Sequence, residues 1–331
     1  MAVGQRDSAG GRSLIGRVFD WLLDWVPTSR GAWAALALIA AIVVFYVSAM
    51  LWRHQINDDV TFQPPAEFHV DGGSQAVSMA AALVHREIKD TTWVANSPFP
   101  LPSSLLDNMP NFQLGLMYAV SRFTIELADQ LGRMRGSSQV DADLDKAAGL
   151  LKYDGTIWFW EPSVSIWPTA AAERQYEAGM NALMAFNRRL GDSGAVFDRR
   201  ADNLIQVLDR VAADLGSTSA IQAAEVANSG WAWFDRSADD AFYQAKGRLY
   251  GYAMLLDALG HDFSALLSER RVDALWQAMV DSLKAAAALE PLVISNGYPP
   301  SIIAPNHLAT QGFYLLRART QLRELTAVLT R

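Results

Sequence analysis

Two short segments of the chain combine tryptophan with a carboxylate in the same order. Residues 156–162 read Thr-Ile-Trp-Phe-Trp-Glu-Pro, and residues 230–235 read Gly-Trp-Ala-Trp-Phe-Asp. Indole faces beside carboxylates suit sugar rings, cationic groups or the apolar anchors of a peptide. The candidate ligand- or partner-binding residues are therefore Trp158, Trp160, Trp231 and Trp233.

The same segments allow two other interpretations. Carboxylates on opposite sides of a glycosidic bond can hydrolyse it, one as the acid and the other as base or nucleophile, which makes Glu161 and Asp235 alternative catalytic residues. Alternatively, the tryptophans close the ends of a helical core, and the acids are caps or surface charges. No catalytic motif elsewhere in the sequence favours hydrolysis.

Composition excludes several classes of protein and site. Hydrophobic residues make up 51% of the 331 residues, which excludes a disordered chain. The absence of cysteine excludes disulfides, thiolate metal sites and cysteine nucleophiles. A net charge of −7 argues against a nucleic-acid partner. The histidines are scattered, and no metal-binding, nucleotide-binding or cofactor motif is present, so we expect neither metal nor cofactor.

Residues 31–52 form an uncharged segment that predicts a single transmembrane helix. These 22 residues would span about 33 Å, enough for a hydrocarbon core of about 30 Å. Small residues at 47–49 resemble a signal-peptide cleavage site. The apolar run is longer than a signal-peptide core, however, and 30 residues precede it, which favours an uncleaved anchor.

The distribution of arginine predicts the orientation of this helix. Residues 1–30 contain four arginines, whereas Arg53 is the only basic residue other than histidine between the helix and Arg86. Because positive charge stays on the cytoplasmic side, the N-terminus should be cytoplasmic and the C-terminal part periplasmic. Within the N-terminal segment, residues 13–26 have the spacing of an amphipathic helix, which would lie on the membrane surface or pack on a partner.

Beyond the membrane segment we predict a linker over 53–74 and an all-α domain over 75–331. Short sequence echoes, such as Val-Ala-Asn-Ser at 94–97 and again at 226–229, suggest four degenerate helix-loop-helix repeats. Helical periodicity supports first helices at 75–89, 141–152, 197–215 and 269–288, and second helices at 111–132, 171–190, 238–259 and 306–328. Expected helix N-caps are Asp141, Ser237 and Asn306.

Asparagines recur in the predicted loops, at Asn96, Asn228 and Asn296. They could contact a ligand, although asparagine in such loops more often supplies turn chemistry. The proline-rich stretches around them, Pro98 to Pro102 and Tyr298 to Pro305, are most simply rigid surface loops.

Taken together, these features resemble a known bacterial family. They are the cytoplasmic amphipathic segment, one anchor near residue 40, Val-Ala-Asn-Ser followed by a proline-rich loop, and Trp-Phe-Trp-Glu-Pro. The chain resembles, over residues 30 to 330, single-pass membrane proteins catalogued as domain of unknown function 2333. The resemblance implies an inner-membrane protein of proteobacterial type, and it transfers no activity or site residues.

The sequence thus leads to two functional hypotheses. The first is a membrane-anchored, non-enzymatic binding or scaffold protein of the bacterial cell envelope. Its partners would be the lipid bilayer and an envelope protein, peptide or glycan. The alternative is an envelope glycan hydrolase using Glu161 and Asp235.

Overall fold

A computed structural model describes residues 29–131, 140–160, 166–228, 236–291 and 306–331. Within these ranges the chain forms ten α-helices and no β-strand, which confirms the predicted all-α fold. The chain divides into two compact units, one up to Leu51 and the other from Trp52 to Arg331.

Helix α1 spans Arg30–Arg53 and matches the predicted membrane segment closely. It has no buried side chain, and its most apolar window has a mean hydropathy of 2.6. It is the one helix in the described ranges that is long and apolar enough to cross a membrane, as an anchor or a signal sequence would be. The amphipathic helix predicted over 13–26 lies outside the described residues.

The described part of the second unit contains nine α-helices, including one at each of the eight positions predicted from periodicity. They are α2 Gln75–His85, α3 Asn108–Glu126, α4 Ala142–Leu151, α5 Ala172–Gly191, α6 Ala201–Asn228, α7 Arg236–Asp262, α8 Ser264–Arg270, α9 Asp273–Ala287 and α10 His307–Leu329. Helices α2 and α3 each continue into a π-helical turn, Arg86–Asp90 and Leu127–Leu131. Short 3-10 turns lie at Ala66–Phe68 and Pro102–Leu105.

The helix ends differ from prediction in three places. Helix α6 runs to Asn228 rather than 215, and its polar end is held by a hydrogen bond between Gln222 and Gln311 of α10. The helix predicted from 269 is broken at Arg271, which adopts a left-handed conformation with φ of 56°. Ser237 is not an N-cap because it lies inside α7, where its hydroxyl donates to Glu225.

The other two predicted N-caps are confirmed. The Asp141 carboxylate accepts hydrogen bonds from the backbone amides at 143 and 144, and the Asn306 side-chain oxygen accepts one from the amide at 309. Each bond satisfies a donor that the first turn of a helix would otherwise leave unpaired.

Helix α7 lies at the centre of the bundle and packs against α2, α3, α6 and α9. Its closest neighbour is α3, and glycines allow that approach. A Cβ atom at Gly247 would lie 2.0 Å from the carbonyl oxygen of Phe112, and one at Gly115 would lie 2.2 Å from that of Gln244. No larger residue fits at either position without moving the helices apart.

The segment 53–74, which the sequence predicts to be a linker, packs against the helical core. It has little regular secondary structure, yet Phe68 is buried and the Asp59 carbonyl accepts a hydrogen bond of 2.9 Å from the Tyr250 hydroxyl. Its apolar side chains pack on the core one by one. They do not follow the spacing of a helix or a strand, so the sequence pattern does not predict their burial. They are Ile56, Val60, Phe62 and Val70.

The helices alternate in direction, so the bundle has two distinct ends. At one end, which we call the far end, the Asp262 carboxylate of α7 accepts hydrogen bonds from Ser74 and Gln75 at the start of α2. At the other, the loop end, Asn111 near the start of α3 donates to Asp240 near the start of α7. The loops 91–107 and 152–171 both lie at the loop end. The predicted helix-loop-helix repeats are not equal hairpins, because α2 packs mainly on α5 and α7 rather than on α3.

Candidate functional site

The first Trp-x-Trp segment lies in the loop 152–171, between α4 and α5. Trp158 is half-buried, whereas Trp160 is 50% exposed. Ile166 and Trp167, which lie further along the same loop, are more exposed, at 87% and 79%. This loop therefore presents apolar side chains to solvent, as a binding surface would, and they do not close the end of the core.

The neighbouring loop 91–107 presents a second set of exposed apolar side chains, led by Phe99 at 81%. We call the combined set the aromatic loop surface: Phe99, Leu101, Leu105, Phe159, Trp160, Ile166 and Trp167. Single exposed apolar residues are ordinary, but seven on two adjoining loops are a feature of interaction sites.

The two loops are joined firmly at their bases. The buried Trp93 donates a hydrogen bond of 2.9 Å from its indole nitrogen to the carbonyl of Gly155, and its ring packs edge-on against Tyr176. Asn96 lies in a turn, as predicted, and its amide donates to the carbonyl of Ile157 at 3.1 Å and to Glu173 at 2.8 Å. These contacts fix the position of one loop relative to the other.

The two described parts of the loop, 152–160 and 166–171, are joined to each other by hydrogen bonds. The backbone amide of Thr169 donates to the carbonyl of Phe159 at 2.7 Å, and the Tyr153 hydroxyl donates to the carbonyl of Ala170 at 3.0 Å. The Trp160 indole nitrogen donates to the carbonyl of Ile166 at 3.3 Å. The exposed side chains therefore project from backbone segments that are held to each other, which reduces the entropy lost when they bind.

A buried ionic network contacts the start of the loop 91–107. Arg86 forms an ion pair of 2.8 Å with Glu87 and donates to the Tyr250 hydroxyl at 2.6 Å. Burial opposes the charge of Arg86, but Glu87 and Tyr250 together raise its pKa above the ordinary value, so the guanidinium stays charged. Gln113 bridges this network to the loop by donating to Glu87 and to the carbonyl of Thr92.

A cleft of about 400 Å³ lies between α3, the end of α4 and the base of the loop 152–171. Its floor is apolar, and Tyr118 and Arg122 on its rim both bind the carboxylate of Asp214. Burial and nearby acids raise the pKa of Tyr176, which therefore remains a protonated hydroxyl and donates to the carbonyl of Tyr153. The cleft can accommodate an apolar group. Its side chains Tyr118, Arg122 and Tyr176 each already bind another residue of the protein.

The structure places two of the predicted site residues and leaves the others undescribed. Trp158 and Trp160 lie in the loop 152–171, while Glu161, Trp231, Trp233 and Asp235 fall outside the described residues. Among the residues that are described, no group of three or more histidine and acidic side chains could hold a metal ion.

Sequence reasoning missed most of the aromatic loop surface, although a signal was available. Residues 98–102 read Pro-Phe-Pro-Leu-Pro, and Pro168 directly follows Ile166 and Trp167. Large apolar residues interleaved with proline cannot lie on the buried face of a helix, because proline interrupts the helix. Such residues in an all-α protein are candidates for exposed loops.

Comparison with known families identifies the chain. A family model described as "Uncharacterized protein conserved in bacteria (DUF2333)" matches residues 28–232 and 222–331. No curated protein and no solved structure matches the chain. Together the two ranges cover residues 28–331, which include α1 and the whole helical unit, so the chain belongs to the bacterial family catalogued as domain of unknown function 2333.

Proposed function

We propose that this protein is a membrane-anchored, non-enzymatic binding or scaffold protein of the bacterial cell envelope. Helix α1 would anchor it in the inner membrane, with the N-terminus cytoplasmic and the helical domain periplasmic. The uncharged length of α1, the arginines that precede it and the bacterial family support this arrangement.

The main support for a binding role is the exposure of the aromatic loop surface. Aromatic residues dominate the energetics of binding surfaces because each buries a large area with few rotatable bonds. Here their loops are clamped at the base by Trp93 and Asn96, so the surface is formed before a partner arrives. Bacterial envelopes offer proteins, peptides, glycans and lipids as partners for such a surface.

The arrangement of nearby polar groups supports binding over catalysis. Glu173, a carboxylate close to the loops, is engaged in holding Asn96, and Asp214 beside the cleft binds Arg122 and Tyr252. A general acid or base must instead face the substrate. Glu173 and Asp214 therefore act as structural partners of other side chains.

Site-specific photo-cross-linking in native membranes tests the binding role. A photoreactive amino acid at position 160 of the full chain should form adducts with a defined envelope component. Ala265, exposed on α8 at the far end, is the matched control position and should not form those adducts. Identical adducts from both positions, or none from position 160, would refute the proposal.

A turnover assay tests the non-enzymatic part. Purified full-length protein incubated with cell-wall fragments should release no soluble sugar. Release that disappears in a Glu161→Gln variant would establish the hydrolase instead.

A further inference from the structure

The polypeptide enters the helical unit at the loop end. The Arg53 guanidinium, at the last residue of α1, donates a hydrogen bond of 3.0 Å to the Thr92 hydroxyl. Two residues later, the backbone amide of Gln55 donates to the sulfur of Met109 at 3.3 Å. Thr92 immediately precedes Trp93, and Met109 lies in the first turn of α3, so both contacts belong to the loop end.

This point of entry defines where a membrane surface must lie. A spanning helix places the residues at its end in the headgroup layer, where tryptophan and arginine are favoured. Trp52 and Arg53 occupy that position, and Trp52 is largely exposed. The loop end is therefore the end of the helical unit at which the chain arrives from α1. The far end lies about 24 Å away, the length of the 16 residues from Gln75 to Asp90.

The loops that carry the aromatic loop surface have the composition of a lipid-facing segment. Residues 97–106 contain no charged side chain, and Glu161 is the single charged residue between positions 155 and 171. Tryptophan and phenylalanine suit the headgroup layer, and isoleucine and leucine suit the boundary with the acyl chains. Uncharged apolar tips can enter this region without the cost of desolvating a charge.

Polar groups in these loops make hydrogen bonds within the loops. The Ser103 hydroxyl donates to the Ser97 hydroxyl at 2.9 Å, and the Ser104 hydroxyl donates to the carbonyl of Leu101 at 2.6 Å. In the other loop, the Thr169 hydroxyl donates to the carbonyl of Trp158 at 3.3 Å. Sites for glycans and peptides instead direct polar groups outward to fix their ligands, so the pattern favours a lipid surface.

We propose that the aromatic loop surface inserts into the headgroup layer of the same membrane leaflet at which α1 ends. This rests on the proposed function, because it requires α1 to be a membrane anchor, and it names the lipid surface as the partner of the site. The protein is then attached to the bilayer at two points, by α1 and by the loops. The far end of the bundle, with α8, is held away from the membrane.

Single-cysteine labelling tests this directly, because the natural chain contains no cysteine. Phe99→Cys and Trp167→Cys variants of the full chain, each carrying an environment-sensitive fluorophore, are reconstituted in phosphatidylcholine vesicles. Both probes should emit at a shorter wavelength than the same fluorophore at position 265, and both should lose intensity when the lipids carry brominated acyl chains. Ala265→Cys, the matched control at the far end, should show neither change.

The possible outcomes separate this inference from the proposed function. Probes at 99 and 167 that behave like the probe at 265 would overturn the lipid contact. If position 160 then cross-links to a protein or glycan, the binding role survives with a different partner. If it cross-links to nothing, both proposals fail. Because the substituted side chains are exposed, far-UV circular dichroism of the variants should match that of the natural protein, and this measurement excludes misfolding as the cause.

Discussion

Replacing Gly247 with alanine probes the contact that holds the centre of the bundle together. The new methyl group would lie 2.0 Å from the carbonyl oxygen of Phe112 and 2.9 Å from the backbone nitrogen of Leu116. Both neighbours are backbone atoms of α3, so neither can rotate away. The two helices must therefore separate by about 1 Å, which weakens the dispersion contacts along their interface.

The expected loss of stability follows from two opposing effects. Overpacking of a close contact costs about 1–3 kcal/mol, and a clash between two backbones belongs at the upper end, about 3 kcal/mol. Alanine is better than glycine in a helix by about 1 kcal/mol, which offsets part of this. The net decrease in the free energy of unfolding should be about 2 kcal/mol, equivalent to a melting temperature lower by about 4–8 °C in a domain of this size.

Gly149 provides the matched control for this substitution. It lies on the exposed side of α4, and a Cβ atom there would meet nothing within 4 Å. Gly149→Ala should therefore stabilise the protein by up to about 1 kcal/mol. Thermal unfolding of the full-length variants in detergent, followed by far-UV circular dichroism, measures both effects. A Gly247→Ala variant that melts at or above the temperature of the natural protein would refute the packing described for α3 and α7.

Four further substitutions have defined outcomes. Trp93→Ala removes a buried ring and should cost about 3–5 kcal/mol in urea unfolding, whereas Trp160→Ala should cost less than about 1 kcal/mol because its ring is half exposed. Burial opposes the charge of Asp141, but hydrogen bonds from Arg189 and two backbone amides lower its pKa below the ordinary value. Its stabilising effect should therefore be present above pH about 4 and disappear at lower pH, so the stability difference between the natural protein and Asp141→Asn should narrow on acidification. Tyr252→Phe removes a buried hydroxyl that donates to a carboxylate at 2.8 Å and should cost about 1.5–3 kcal/mol in the same unfolding assay.

Periodicity in the sequence was sufficient to predict the central helix and its buried face. Residues at three- and four-residue intervals in α7, among them Phe242, Leu249, Tyr252 and Leu256, are all fully buried. The signal is strong because α7 buries one continuous face along its whole length. Charges and glycines did not reveal which helix would be its closest neighbour.

The parts that sequence reasoning did not predict depend on contacts between distant residues. Arg86 and Tyr250 are separated by 164 positions, and nothing local indicates that a buried arginine will find a phenol there. The packing of Phe62 and Phe68 onto the core is likewise decided by the helices that receive them. The aromatic loop surface could be predicted in part. Its prolines are visible in the local sequence, but the exposure of its side chains depends on how the two loops pack against each other.

On the outer face of the inner membrane, we expect the aromatic loop surface to be covered by lipid and the far end of the bundle to be accessible to solvent. Labelling of single-cysteine variants with a membrane-impermeant maleimide in spheroplasts tests both parts at once. We expect Ala265→Cys to be labelled without detergent, whereas Trp167→Cys should be protected until detergent is added. Equal labelling of both without detergent would show an uncovered loop surface, and labelling of Ala265→Cys only after lysis would place the domain in the cytoplasm.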